Sequence, residues 1–167
     1  LSPVLRKSSK LKIMHLINCH MKKGIEDIYT AIRHNRDIPL VYWCLEGNTF
    51  KDFEWFPRVL AVEANPLKHL SLNNCNLTPE HCVILFDAIA SNPAMHSLKN
   101  LYIQGVEMNR EALSSFYTFL QESNQTLEAL DLGSIRGSNL SRHLISAINA
   151  NPQPLQFLNL SHTSVDK

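Results

Sequence analysis

Glycine is scarce in this sequence, five residues in 167. Gly24, Gly47, Gly105, Gly133 and Gly137 form neither a G-x-G-x-x-G turn nor a P-loop, so no backbone cradle for nucleotide phosphates is present. Net charge is scarce too. Sixteen basic against fifteen acidic side chains leave +1, which gives the chain as a whole no electrostatic case for nucleic acid or an anionic membrane. No apolar run approaches the roughly 18 residues of a membrane span, so membrane insertion is not expected.

Cysteine is limited to four residues, without a C-x-x-C or H-x3-H pair, and the neighbours Cys19-His20 and His81-Cys82 point apart on any regular element. No metal and no cofactor is expected. Cys19 and Cys75 are read as buried reduced thiols at a turn, and Cys82 as part of a helical core stripe. Cys44 is read as projecting from the open side of a strand and as the one reactive thiol, although no base adjoins it in sequence. His15, His69 and His162 could approach Asp131 or Glu46, but no nucleophile–base pair stands out and no catalytic residue is assigned.

What the sequence does have is repetition. LKIMHLINCHM at 11–21, LVYWCLEGNTF at 40–50, LKHLSLNNCNL at 67–77, LKNLYIQGVEM at 98–108, LEALDLGSIRG at 127–137 and LQFLNLSHTSV at 155–165 share one phrase. Their starts lie 27 to 31 residues apart, the signature of a solenoid. Within each phrase, positions 4 and 6 alternate as a short strand should, so Met14/Leu16, Trp43/Leu45, Leu70/Leu72, Leu101/Ile103, Leu130/Leu132 and Leu158/Leu160 are the predicted core. Position 9 holds Cys19, Asn48, Cys75, Val106, Ile135 and Thr163, where a polar side chain can bond the backbone of neighbouring turns.

The segments between carry helical stripes: Ile25/Ile28/Tyr29/Ile32, Cys82/Leu85/Phe86/Ile89 and Leu113/Phe116/Tyr117/Leu120, with a looser one through Leu140, Leu144, Ile145 and Ile148. Pro57 predicts a short helix starting nearby. Thr78-Pro79 and Asn109 read as helix N-caps. Asn35, Asn65, Asn92, Asn124 and Asn151 read as left-handed helix ends. Residues 1–10 look like the tail of an earlier repeat helix, and no helix follows the last phrase. The expected unit is therefore one repeat segment, 1–167, cut from a longer solenoid that would need polar caps.

Four N-x-(S/T) sequons, at Asn76, Asn124, Asn139 and Asn159, are not far above the roughly two expected by chance from 15 Asn and 21 Ser plus Thr. With reduced thiols they fit a cytoplasmic protein.

The phrase resembles the leucine-rich repeat of the ribonuclease-inhibitor-like class. That resemblance implies an α/β solenoid with a concave parallel sheet of about six strands and convex helices. Exposed strand positions then line the concave face, and the expected protein-binding residues are Tyr42, Cys44, His69, Ser71, Tyr102, Asp131, Phe157 and Asn159. Tyr42, Tyr102 and Phe157 are aromatics of the type that anchors interfaces, the alternative being that neighbouring loops pack them. Lys12, Lys68 and Lys99 form a partial basic ladder, read mainly as a solvated edge.

Within the class, LTPEHCVILFDAIASN at 77–92, SLKNLYIQG at 97–105 and the irregular stretch after Thr49-Phe50 resemble actin capping-protein regulators of the CARMIL type. That resemblance implies a non-catalytic cytosolic scaffold at the membrane-associated cytoskeleton, with a lipid-binding domain before the repeats and disordered binding motifs after them. A protein partner on the concave face and self-association of the solenoid are the expected interactions. The alternatives are a GTPase activator of the RanGAP type, or the repeat domain of an innate immune receptor.

Overall fold

The computed structural model describes residues 1–21, 24–35, 37–50, 52–60, 67–123, 126–137 and 141–163. Asn65, Asn124, Asn139 and Leu140, named above, and the last two residues of the sixth phrase, 164–165, lie outside the described residues.

Six three-residue strands form one parallel sheet in sequential order: β1 Ile13–His15, β2 Tyr42–Cys44, β3 His69–Ser71, β4 Asn100–Tyr102, β5 Ala129–Asp131 and β6 Phe157–Asn159. Register is uniform, so Met14, Trp43, Leu70, Leu101, Leu130 and Leu158 stack as one row. The pairing runs on past the strands. Position 6 and position 8 amides donate to the next layer, as in Leu72 N to Tyr102 O (2.8 Å) and Asn74 N to Gln104 O (2.8 Å).

That extension requires a specific turn. Position 8 is left-handed in all six repeats: Asn18, Gly47, Asn74, Gly105, Ser134 and His162 have φ between 51° and 78°. At Gly47 a Cβ would also lie 1.9 Å from Asn18 Oδ1, so a larger residue there would displace the exposed Asn18 side chain. The asparagines at the helix ends do something other than expected. Asn92 has φ −107°, and neither Asn35, Asn92 nor Asn151 is among the left-handed residues. Asn35 Nδ2 instead donates to Leu5 O and Ser8 O (2.6 Å each), and Asn92 Nδ2 to Leu60 O, tying each helix end to the preceding repeat. A second tie is Thr126 Oγ1, which donates to His96 O and Leu98 O. Asx side chains of this kind satisfy helix-end carbonyls left without intrahelical partners.

Six α-helices cover the other face: α1 Ser2–Lys7, α2 Gly24–His34, α3 Trp55–Leu60, α4 Pro79–Ala90, α5 Arg110–Thr118 and α6 Ser141–Asn149, with a 3₁₀ turn at Pro93–Ser97 and a π-helical turn at Phe119–Ser123. Both predicted caps form. Thr78 Oγ1 accepts from His81 N, and Asn109 Oδ1 from Ala112 N at 2.9 Å. Helix α3 starts at Trp55, close to Pro57 as predicted, and aromatics surround its first turn. Phe50, Phe53, Trp55 and Phe56 pack beneath Trp43, with Trp43–Phe56 centroids 6.0 Å apart and Phe53–Phe56 4.8 Å apart.

The core follows the leucine phrase, and the stripes of α2, α4 and α5 are buried against it apart from two residues. Tyr29 is only half-buried, and Tyr117 is exposed because it faces the groove toward α6 instead of the sheet. Leu158 is 42% exposed because β6 has a strand on one side only.

Position 9 divides by chemistry. Asn48 is wholly buried: its Nδ2 donates to Leu16 O (2.6 Å) and Leu45 O (2.7 Å), and its Oδ1 accepts from Cys19 N (3.0 Å). Cys75 Sγ donates to Leu45 O at 3.2 Å, and Thr163 Oγ1 to Leu132 O at 3.0 Å. Val106 and Ile135 cannot do this. There the backbone substitutes with a parallel bridge, Met108 N to Arg136 O (2.9 Å) and Arg136 N to Val106 O (3.0 Å).

Candidate concave binding face

Positions 3, 5 and 7 of each repeat face the side of the sheet away from the helices. Position 3 carries Ile13, Tyr42, His69, Asn100, Ala129 and Phe157, and position 5 carries His15, Cys44, Ser71, Tyr102, Asp131 and Asn159. Register places these rows side by side, so the eight predicted site residues share one strip.

They are not equally available. Phe157 is 48% exposed, and Tyr42, His69, Tyr102 and Asn159 are half-buried. Cys44, Ser71 and Asp131 are buried, which corrects the expectation that Cys44 is the open, reactive thiol: it is 2% exposed. On an inward-curving sheet, larger side chains of adjacent layers close over small ones. Ser71 Oγ donates to Glu46 Oε1 at 2.5 Å, and both side chains lie beside Cys44. Burial is the main cause raising the Cys44 thiol's pKa. Asp131 Oδ1 accepts from Gly133 N and Asn159 Nδ2, both at 2.9 Å.

The aromatic groups are organised. Tyr42 is sandwiched between His15, 5.1 Å away and nearly parallel at 4°, and His69, 5.3 Å away at 26°. Burial raises the Tyr42 pKa, with Cys44 next among the causes. Desolvation, then the charge of Lys99, lowers the His69 pKa, so a neutral ring is favoured in the stack. Farther along, Tyr102 meets Phe157 edge-on at 6.4 Å and accepts from Asn100 Nδ2 at 3.0 Å. His15 and the exposed Ile13 and Ile17 belong to this surface but were not among the predicted site residues. The sequence signal for them is the same, since they occupy positions 3, 5 and 7 of the first phrase.

Cys19, expected to be buried, is the exposed thiol, because the described residues supply no layer before β1 to cover it. Cys75 and Cys82 are pushed up to about 12 by burial. Alkylation of folded residues 1–167 near pH 8 is expected to modify Cys19 alone on a fast timescale, and Cys19→Ser should abolish that phase. Intact-mass kinetics check this, and Cys44 labelling as fast as Cys19 would contradict the burial described here.

Among the described residues no group of three His, Cys, Asp or Glu side chains is placed to hold a metal ion, and no helix is long and apolar enough to cross a membrane. No protein-family model matches the chain, and no curated protein does. Solved structures do. The chain is similar to the tropomodulin C-terminal domain of Caenorhabditis elegans, at 18% identity over 98% of this chain and 81% of that one, with a TM-score of 0.53. It is also similar to leiomodin-1 actin-binding site 2, at 13% identity over 90% of this chain and 86% of that one, with a TM-score of 0.58.

The shared feature is the fold. This chain is a leucine-rich-repeat solenoid with a concave six-stranded parallel sheet and convex helices, and it overlaps most of both neighbours.

Proposed function

We propose that this chain is the non-catalytic, protein-binding repeat segment of a cytoplasmic actin-cytoskeleton regulator of the CARMIL type. In this reading residues 1–167 are one stretch of a longer solenoid, and the concave strip is the face that meets the partner. The observation that carries the reading is the strip itself: two organised aromatic clusters, His15–Tyr42–His69 and Tyr102–Phe157, held on a rigid sheet. Rigid, partly exposed aromatics lose little entropy on binding and dominate interface energetics. The likeness to a leiomodin segment named as an actin-binding site supports actin as the first partner to test.

The test is actin binding by the wild type and by the triple variant Tyr42→Ala, Tyr102→Ala, Phe157→Ala. Affinity is expected to fall roughly tenfold or more while thermal unfolding barely moves, since these rings lie outside the core. A large drop in stability would make them structural, and unchanged affinity would place binding elsewhere. Accelerated GTP hydrolysis by a small GTPase in the presence of the chain would replace this reading with the activator alternative.

A further inference from the structure

The third residue of α4 is His81, in the place that a glutamate or glutamine takes in a standard capping box. Its ring closes the box. Thr78 N donates to His81 Nδ1, and His81 N donates back to Thr78 Oγ1, both at 3.4 Å. The same ring packs on the segment before α3, 5.3 Å from the Phe53 ring and tilted by 33°. Phe53 is buried in the aromatic cluster beneath Trp43, so His81 joins the start of α4 to the core of the preceding layer.

This arrangement needs a neutral imidazole. Nδ1 accepts through its lone pair, which places the proton on Nε2, and an imidazolium has no lone pair left to offer. An imidazolium would also stand in the first turn of α4, at the positive end of the helix dipole, on a half-buried side chain. Burial lowers the His81 pKa below its ordinary 6.5, against the carboxylates of Glu80, on α4 itself, and Asp52, before α3, which favour the charged ring. From the following layer, Glu107 acts on the adjacent Cys82, whose Sγ donates to the Glu107 carbonyl.

We infer that His81 is a proton-released clasp: protonation of its ring frees Thr78 N, opens the first turn of α4 and loosens the contact with Phe53. A base whose folded pKa is lowered contributes stability that is present in full above 6.5 and is lost as pH falls through the folded value. The clasp is therefore closed at neutral pH and opens on acidification. It acts on the convex side of the solenoid and does not depend on what the concave face binds.

Urea denaturation of the chain and of His81→Gln, each at about pH 7.5 and about pH 5.5, tests it, because glutamine keeps the acceptor of the capping box and does not titrate. Between the two pH values the unfolding constant of the wild type is expected to rise about fivefold more than that of the variant, the equivalent of one ordinary hydrogen bond. His69, whose pKa is also lowered by burial, is common to both proteins and cancels in the difference. Equal pH dependence of the two proteins overturns the inference. NMR titration of the wild-type chain gives a second reading that needs no variant. The His81 ring should titrate below 6.5, and the Thr78 amide shift should follow the same midpoint. A His81 midpoint at or above 6.5, or a Thr78 amide indifferent to it, overturns the inference as well.

Discussion

Phe86→Ala is expected to destabilise the chain by about 3–5 kcal/mol, the range for truncating a fully buried phenylalanine. Phe86 lies on the core side of α4 with no solvent exposure, and its ring meets Phe116 at 5.0 Å and Phe119 at 6.0 Å, so one side chain joins α4 to both segments of the next repeat. A solenoid draws its cooperativity from contacts between neighbouring repeats, and removing this ring weakens one such interface at mid-chain. Against a total of roughly 5–15 kcal/mol, the loss would remove about a fifth of the stability or more. Urea titration measures it. Phe86→Leu should recover most of the stability, because it refills volume without new polar atoms. A loss under about 1 kcal/mol in Phe86→Ala would mean that the α4–α5 interface is not packed as described.

Asn48→Leu is the second large effect, and its cause is polar. The substitution keeps the branched shape but strips the Leu16 and Leu45 carbonyls and the Cys19 amide of the Asn48 side chain, which is itself wholly buried. A buried backbone group left unpaired costs about 1–3 kcal/mol. Cys75 Sγ still donates to Leu45 O and the Cys19 end is open to water, so a net loss of about 2 kcal/mol is expected, which for a chain of this size lowers Tm by roughly 4–8 °C. Asn48→Thr should fall between wild type and leucine, because Thr163 makes the equivalent bond to Leu132 O in the last layer. Differential scanning calorimetry orders the three proteins. A leucine variant as stable as wild type would show that the layers are held without this bridge.

The fold was legible because its determinants repeat. One leucine every 27 to 31 residues at a fixed phase identifies strand, core side and layer order together, and the Thr78 and Asn109 caps are local signals that need no tertiary context. The left-handed turn at position 8 was harder to see. Asn18, Gly47, Asn74, Gly105, Ser134 and His162 share a backbone geometry while differing in identity, so no phrase marks them. The helix-end asparagines carried a true signal with the wrong mechanism: they act through side-chain amides across repeats, and a single sequence does not distinguish that from a left-handed cap.

The candidate site was legible as a strip and illegible in its burial. Alternation alone puts Cys44 on the open side of β2, and it does lie on that side. Its closure depends on Ser71, a whole repeat away, bonding Glu46 beside it. Burial on a concave sheet is set by neighbouring layers. For the same reason Tyr117 was misplaced: its helical phase is that of the core stripe, but it lies between α5 and α6, beside His143 and Ser146.

The measurement that bears most directly on the central claim is hydroxyl-radical footprinting of the chain alone and with bound actin, read residue by residue. The strip and the convex groove both carry reactive rings, so one experiment compares them. Protection of Tyr42, Tyr102 and Phe157 with Tyr117 and His143 unchanged is the expected result. Protection of Tyr117 and His143 with the three strip aromatics unchanged would move the binding face to the helices and contradict the account.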